Sequence, residues 1–160
     1  MNFIHSNQFL LNFSPGPLPQ RLIVGFVDAE AAIGNTNSNP FVFENFSMNY
    51  INCSTDQSQI LLPFKPDFTN DNYAMNYASL FDNTHISVTN SGNNISYSEY
   101  KKSYALTVFE LTNDSSSSEN YWNVNKSGSL RLQIVFSRAL TKPVSVIILA
   151  EFNSLIEVVF

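Results

Sequence analysis

Ser129–Phe160 reads SLRLQIVFSRALTKPVSVIILAEFNSLIEVVF. Leu130, Leu132, Ile134 and Phe136 alternate with Arg131, Gln133 and Val135. A period of two marks a strand with one buried face. After the connector Ala139–Pro143, the run Val144–Phe152 is nearly apolar throughout and rich in β-branched residues. Such a run suits a strand covered on both faces. Asn153–Ser154 interrupts it, and Leu155–Phe160 makes a third apolar run. Three strands this close, with no room for helices between them, imply antiparallel β structure whose partners lie upstream.

The chain of 160 residues is the size of one domain and long enough to bury a core without disulfides. Hydrophobic residues make up 44% and charged residues 13%, so the polar surface is mostly Asn, Ser and Thr. Net charge is −5, and the 8 Lys and Arg are scattered, with Lys101-Lys102 the one adjacent pair. No basic stripe can follow a phosphate backbone, so direct nucleic-acid binding is not expected. Cys53 is the sole cysteine, which excludes an intrachain disulfide and a cysteine-based zinc site. It is expected as a small strand residue in a reducing compartment. Met1–Phe13 lacks the basic start and continuous apolar core of a signal peptide. No apolar run approaches membrane-spanning length. The Asn-x-Ser sequons at Asn12, Asn45, Asn52, Asn94, Asn113 and Asn125 are expected by chance in so Asn- and Ser-rich a chain.

Working back from the C-terminal strands, Ser103–Leu111 (SYALTVFEL) reads as a strand, and Thr112–Asn120 as a polar loop. Ser96-x-x-Glu99 has capping-box spacing, which predicts a helical turn from Tyr97. Tyr73, Tyr77, Leu80 and Phe81 share one helical face, so the spacing predicts a helix over 71–81, capped by Asn70 or Asp71. Phe46–Cys53 and Gln59–Phe64 flank a turn and read as a hairpin. Phe41, Phe43 and Phe46 read as core plugs. Arg21–Asp28 (RLIVGFVD) is a strand in which Gly25 marks a bulge or a close backbone approach. Ala29–Ile33 allows a short helical turn. Residues 1–20, with SPGPLP at Ser14–Pro19, read as an irregular segment, yet one too apolar to hang free. The 21–160 region is then an all-β domain of six to eight strands with one short helix, a β-sandwich or jelly roll.

Catalytic constellations are missing. There is no nucleophile elbow, P-loop, dinucleotide fingerprint or His-Glu-x-x-His motif. His5 and His85 lie far apart in polar or irregular context, as surface histidines do. Asp67 and Asp71 sit at a helix start, where the helix dipole favours them. Asp28 and Glu30 fit a solvated strand rim. Glu151 and Glu157 interrupt apolar strands and are expected to face solvent or to pair with a cation such as Arg131 or Arg138. Tyr121 and Trp122 beside Asn-rich loops suit either a sugar platform or an aromatic closing the sandwich end. Catalytic, cofactor-binding and metal-ligating residues are therefore expected to be none, and the chain is not expected to be an enzyme.

The blocks LPQRLIVGFVDAEAAIGN, NPFVFENFSMNYI, KPDF, YAMNYASLF, GNNISYSEYKKSYALTVFELT and NVNKSGSLRLQIVFSRALTKPVSVIILAEFNSLIEV occur in that order. Together, from about Phe9 to Val158, they resemble the C-terminal jelly roll of the double jelly-roll (hexon-like) major capsid proteins of Polinton/Maverick elements and adintoviruses. Asn113-Asp114 stands where the family usually has Pro-Asp, and STDQSQ replaces a Gly-containing tight turn near Cys53. The resemblance implies a structural capsid subunit that forms homotrimers with an upstream jelly roll and meets other capsid proteins. It also implies a place in the virion, with the host cytoplasm or nucleus as the site of expression, no secretion and no membrane. It further implies that the first jelly roll, and the opening strands of the second, lie upstream of this truncated start. The alternative is a glycan- or protein-binding β-sandwich without catalysis.

Overall fold

The computed structural model describes residues 7–55, 62–84, 86, 92–112 and 124–153. Among these residues, six strands form two antiparallel sheets: β1 (Gln8–Pro17), β2 (Arg21–Asp28), β3 (Met48–Thr55), β4 (Thr107–Glu110), β5 (Ser127–Phe136) and β6 (Val144–Glu151). One sheet has the order β1-β5-β3 and the other β4-β2-β6. Each strand therefore lies in the opposite sheet from the one before it. This crossing between sheets is the jelly-roll arrangement of a β-sandwich. Three short helices, α1 (Ala29–Ile33), α2 (Ala74–Asp82) and α3 (Tyr97–Ser103), lie in the connections.

The core forms where the inner faces meet. Leu22, Val24 and Phe26 of β2 face Leu130, Leu132, Ile134 and Phe136 of β5, all buried. Phe26 and Phe136 meet edge to face across the gap, with ring centroids 5.4 Å apart. Burying each such side chain is worth roughly 1.5–3 kcal/mol. The period-two reading of 130–136 is thus the inner face of the central strand of its sheet.

Other expectations need correction. The irregular segment expected at 1–20 contains β1, which pairs with β5 from Gln8↔Val135 to Pro17↔Ser127. The register shifts between Phe13 and Gly16. The Ser-Pro-Gly stretch thus sits at a bulge, which a sheet-edge strand tolerates. The runs at 130–136 and 144–152 lie in different sheets and do not pair with each other. β6 is not covered on both faces, because Ile147 and Leu149 are exposed. Among the described residues it ends its sheet, with Val146, Ile148 and Ala150 packed inward. The third run, Leu155–Phe160, lies outside the described residues.

β4 is shorter than the run 103–111, because α3 extends through Ser103. α3 carries the expected capping box: the Ser96 hydroxyl accepts from the Glu99 N–H, and the Glu99 carboxylate accepts from the Ser96 N–H. α2 starts three residues later than expected, and its N-cap is Tyr73, without a side-chain cap. Asp71 instead adopts a left-handed backbone (φ 56°) in the turn before it. Gly25 introduces no bulge. A Cβ there would stand 2.6 Å from both Phe43 and Leu106, so the glycine permits close cover of the outer face of β2. Of the three expected core plugs, Phe46 packs against the core, Phe43 instead covers the outer face of β2 at Gly25, and Phe41 is 74% exposed.

Candidate functional site

The two long flanks of the sandwich differ, and the open one is the candidate site. On the β3–β4 flank the sheet edges are closed. Ile51 of β3 exchanges two backbone hydrogen bonds with Phe64, at 3.0 and 2.9 Å. The Phe64 strand segment fulfils part of the expected hairpin, and residues 56–61 lie outside the described residues. On β4, the Val108 N–H donates to Ser79 Oγ (3.2 Å), and its carbonyl accepts from Asn83 Nδ2 (2.6 Å). Ser79 and Asn83, one turn apart on α2 and its C-cap, thus satisfy an edge that another strand would otherwise claim. Asn76 on the same helix donates to Thr107 Oγ1 at 3.2 Å. Phe64 and Phe109 close the flank edge to face at 5.4 Å.

An aromatic cluster extends this closed side. Tyr73 stacks on Tyr97 with centroids 4.2 Å apart, and Phe68, Tyr77 and Tyr100 pack around them. The Tyr100 hydroxyl donates to the Leu106 carbonyl at 2.8 Å. Burial raises its pKa above the ordinary phenol value, so it remains a neutral donor.

The β1–β6 flank is open. A groove of about 320 Å³ runs between the two strands, lined by Phe13, Leu18, Leu22, Leu130, Ile148 and Phe152 among others. A second, of about 350 Å³, continues it past Phe9, Leu11, Ser145 and Val146. Phe13 and Ile148 line both. Among the described residues, no strand pairs with the outer edge of β1 or β6. The flank therefore offers apolar walls, which suit an extended polypeptide.

The acidic residues singled out in the sequence are dispersed in ion pairs and turns. Glu151 pairs with Arg21, not with Arg131 or Arg138 as expected: Arg21 Nη1 lies 2.7 Å from Glu151 Oε2, and Arg21 Nε donates to the Asn83 carbonyl at 2.7 Å. The two residues are register partners across β2 and β6. Arg131 donates to Asn12 Oδ1 on the neighbouring strand (3.1 Å), and Arg138 is exposed after β5. Asp28 is more than a solvated rim residue. It caps α1 by accepting from the Glu30 N–H (2.9 Å) and pairs with Lys142 at 2.7 Å. Those contacts, the Lys142 hydrogen bond first, hold its pKa below the ordinary carboxylate value. Lys142 also reaches Glu44 at 3.4 Å and lies over the Phe46 ring, so it ties the β5–β6 connection to two loops.

Asp67 accepts from the N–H groups of Thr69 and Asn70 and from Asn70 Nδ2, which lowers its pKa. It orders a turn rather than starting a helix. Asp71 pairs with Lys101. Cys53 is buried in β3, and burial pushes its thiol pKa up to about 12. His5, His85, Tyr121, Trp122 and Glu157 lie outside the described residues. Among the described residues, no three His, Cys, Asp or Glu side chains gather as a metal site, and no helix is long and apolar enough to cross a membrane.

No protein-family model matches the chain, and no curated protein matches it in sequence. A chain in the cryo-EM structure of the Sputnik virophage shares its fold, with a TM-score of 0.50 and 18% sequence identity. The match covers 94% of this chain and 33% of that one, so this chain spans about a third of the virophage chain's length.

Proposed function

We propose that this chain is a structural subunit domain of a viral or virus-derived major capsid protein, of the double jelly-roll kind found in Polinton/Maverick elements and adintoviruses. The observation that carries the proposal is the fold shared with a virophage chain over 94% of the present chain. The ordered block resemblance described above points the same way. Shell subunits work through broad complementary faces, ordered strands and variable polar loops, not through a reaction centre. The acidic residues of the described structure suit that role, because they serve as caps, turns and cross-strand pairs. In this proposal the domain is non-catalytic, self-associates as a homotrimer together with a second jelly roll, meets other capsid proteins and resides in the virion.

The test is assembly. The chain is expressed in one polypeptide with the jelly roll encoded beside its gene, then examined by light scattering and electron microscopy. Three-copy, pseudo-hexagonal particles are the expected result. Dispersed monomers that bind a specific glycan would overturn it in favour of a binding module.

A further inference from the structure

Among the described residues, four that are not glycine have a left-handed backbone, and two of them are adjacent: Phe46 (φ 45°) and Ser47 (φ 55°). The other two, Asp71 and Asn94, are residue types that tolerate this region. Phenylalanine and serine do so poorly. The Asn45 carbonyl accepts from the Met48 N–H at 2.8 Å, so Phe46 and Ser47 are the central pair of a tight turn. Positive φ at both central residues is the type I′ pattern, for which Asn-Gly is the usual choice. A left-handed backbone disfavours a residue with a Cβ by about fivefold or more.

The strain is held from outside the turn. Asn45 Nδ2 donates to the Lys101 carbonyl at the end of α3 (2.8 Å), and Asn45 Oδ1 accepts from the Ser47 N–H (2.8 Å). The Ser47 carbonyl accepts from the Ser137 N–H, just beyond β5, at 2.9 Å. Phe46 packs against the core, and the Lys142 ammonium lies 5.2 Å from its ring centroid. Asp28, at the β2–α1 junction, and Glu44, beside the turn, fix that ammonium at 2.7 and 3.4 Å. These are the described carboxylates that reach it. Glu30 in α1 and Arg138 on the β5–β6 connection are exposed. The Lys142 side chain is 42% exposed, so protons reach the cluster from solvent.

We propose that Phe43–Met48, in the connection that crosses from β2 to β3, is a strained strap, and that Lys142 is the catch that acid releases. Protonating Asp28 and Glu44 removes both anchors of the ammonium. The turn then relaxes towards the backbone that ordinary residues prefer. The sign follows from Asp28, whose pKa the Lys142 hydrogen bond, and then the Glu30 N–H, hold below the ordinary 3.8. The catch is therefore set above pH 3.8 and is lost as pH falls through the depressed value.

Amide exchange on the full chain tests it. The Met48 and Ser137 N–H groups bond to the turn and report the strap. The Gln20 and Leu111 N–H groups, bonded to the Glu151 and Gln20 carbonyls at the other end of β2, report the sandwich. Between about pH 6 and about pH 3, protection of the first pair should fall at least about tenfold while that of the second is kept. Lys142→Gln should show the lower value at both pH values, and Lys142→Arg, which keeps the charge, should restore the pH response. Asp28→Asn combined with Glu44→Gln should also abolish the response. Asparagine still caps α1, so that loss belongs to the catch. Ser47→Gly should raise strap protection about fivefold or more, both alone and with Lys142→Gln. Unchanged strap protection in Lys142→Gln would overturn the proposal, as would an equal fall at both ends of β2. So would a Ser47→Gly variant whose strap protection stays the same or drops, because the turn would then be unstrained.

Discussion

Along the β3–β4 flank, outward backbone groups find partners from short segments. Phe64 pairs with Ile51, and the side chains of Ser79 and Asn83 pair with Val108. Along the β1–β6 flank, the described structure presents an apolar seam with Phe13 and Phe152 partly exposed. Both flanks cut across the same two sheets, so strand composition does not account for the difference. What differs is the connection that happens to lie beside each edge. The closed flank borders the long insert between β3 and β4, which carries α2, α3 and the tyrosine cluster. Among the described residues, the open flank borders the short turn between β1 and β2. Among the described residues, the closed side thus carries edge hydrogen bonds and ring contacts, and the other side carries an apolar groove.

That contrast breaks if substitutions on the two flanks cost the same. The largest loss is expected from Phe109→Ala, which removes a fully buried ring from the closed flank and should cost about 3–5 kcal/mol in denaturant unfolding. Ser79→Ala and Asn83→Ala each leave one polar group of Val108 without a partner, at about 1–3 kcal/mol apiece. Double-mutant cycles would sharpen this, because both act on one residue and should not add.

An acid titration probes a smaller contribution. The folded-state pKa of Asp28 is depressed, so its stabilisation is present above the unfolded value of 3.8 and is lost as pH falls through the folded value. Wild type should lose that increment below pH 3.8, whereas Asp28→Asn should show no such loss in the same window. Leu149→Ser, on the exposed outer face of β6, should change monomer stability by less than about 0.5 kcal/mol. A large loss there would mean that the open flank is already covered. The smallest effect is kinetic: Cys53, buried and with its thiol pKa near 12, should label with a thiol reagent only as fast as the domain opens.

Much of the fold was legible in local pattern. Arg21–Asp28 matches β2 to the residue, and the alternation from Leu130 to Phe136 marks the buried face of β5. Ser96 and Glu99 announced α3, because a capping box is a local interaction with fixed spacing. β1 was hidden by Ser-Pro-Gly-Pro, which describes a break in the chain and not the edge bulge that makes the break harmless. The partner of Glu151 was missed because Arg21 lies at the far end of the chain and meets it only through the β2–β6 register. Ser79 and Asn83 gave no signal at all. Polar residues on a helix normally read as a solvated face, and their role exists only because β4 ends its sheet beside them. Open sheet edges were expected from the resemblance, but which flank carries them was not legible for a related reason: an edge is a property of the assembled sheet, not of any strand.

The alternation of strands between sheets also orders events in time. Among the described strands, β1 has no partner until β5 has been made, and β3 has only its bridge to Phe64, because β5 lies between them. At ~5–20 residues per second, β1 would wait roughly 6–24 s after its own synthesis for that partner. On the ribosome, therefore, a long nascent chain carries unpaired apolar strands, and one late segment, Ser127–Phe136, commits the whole sheet.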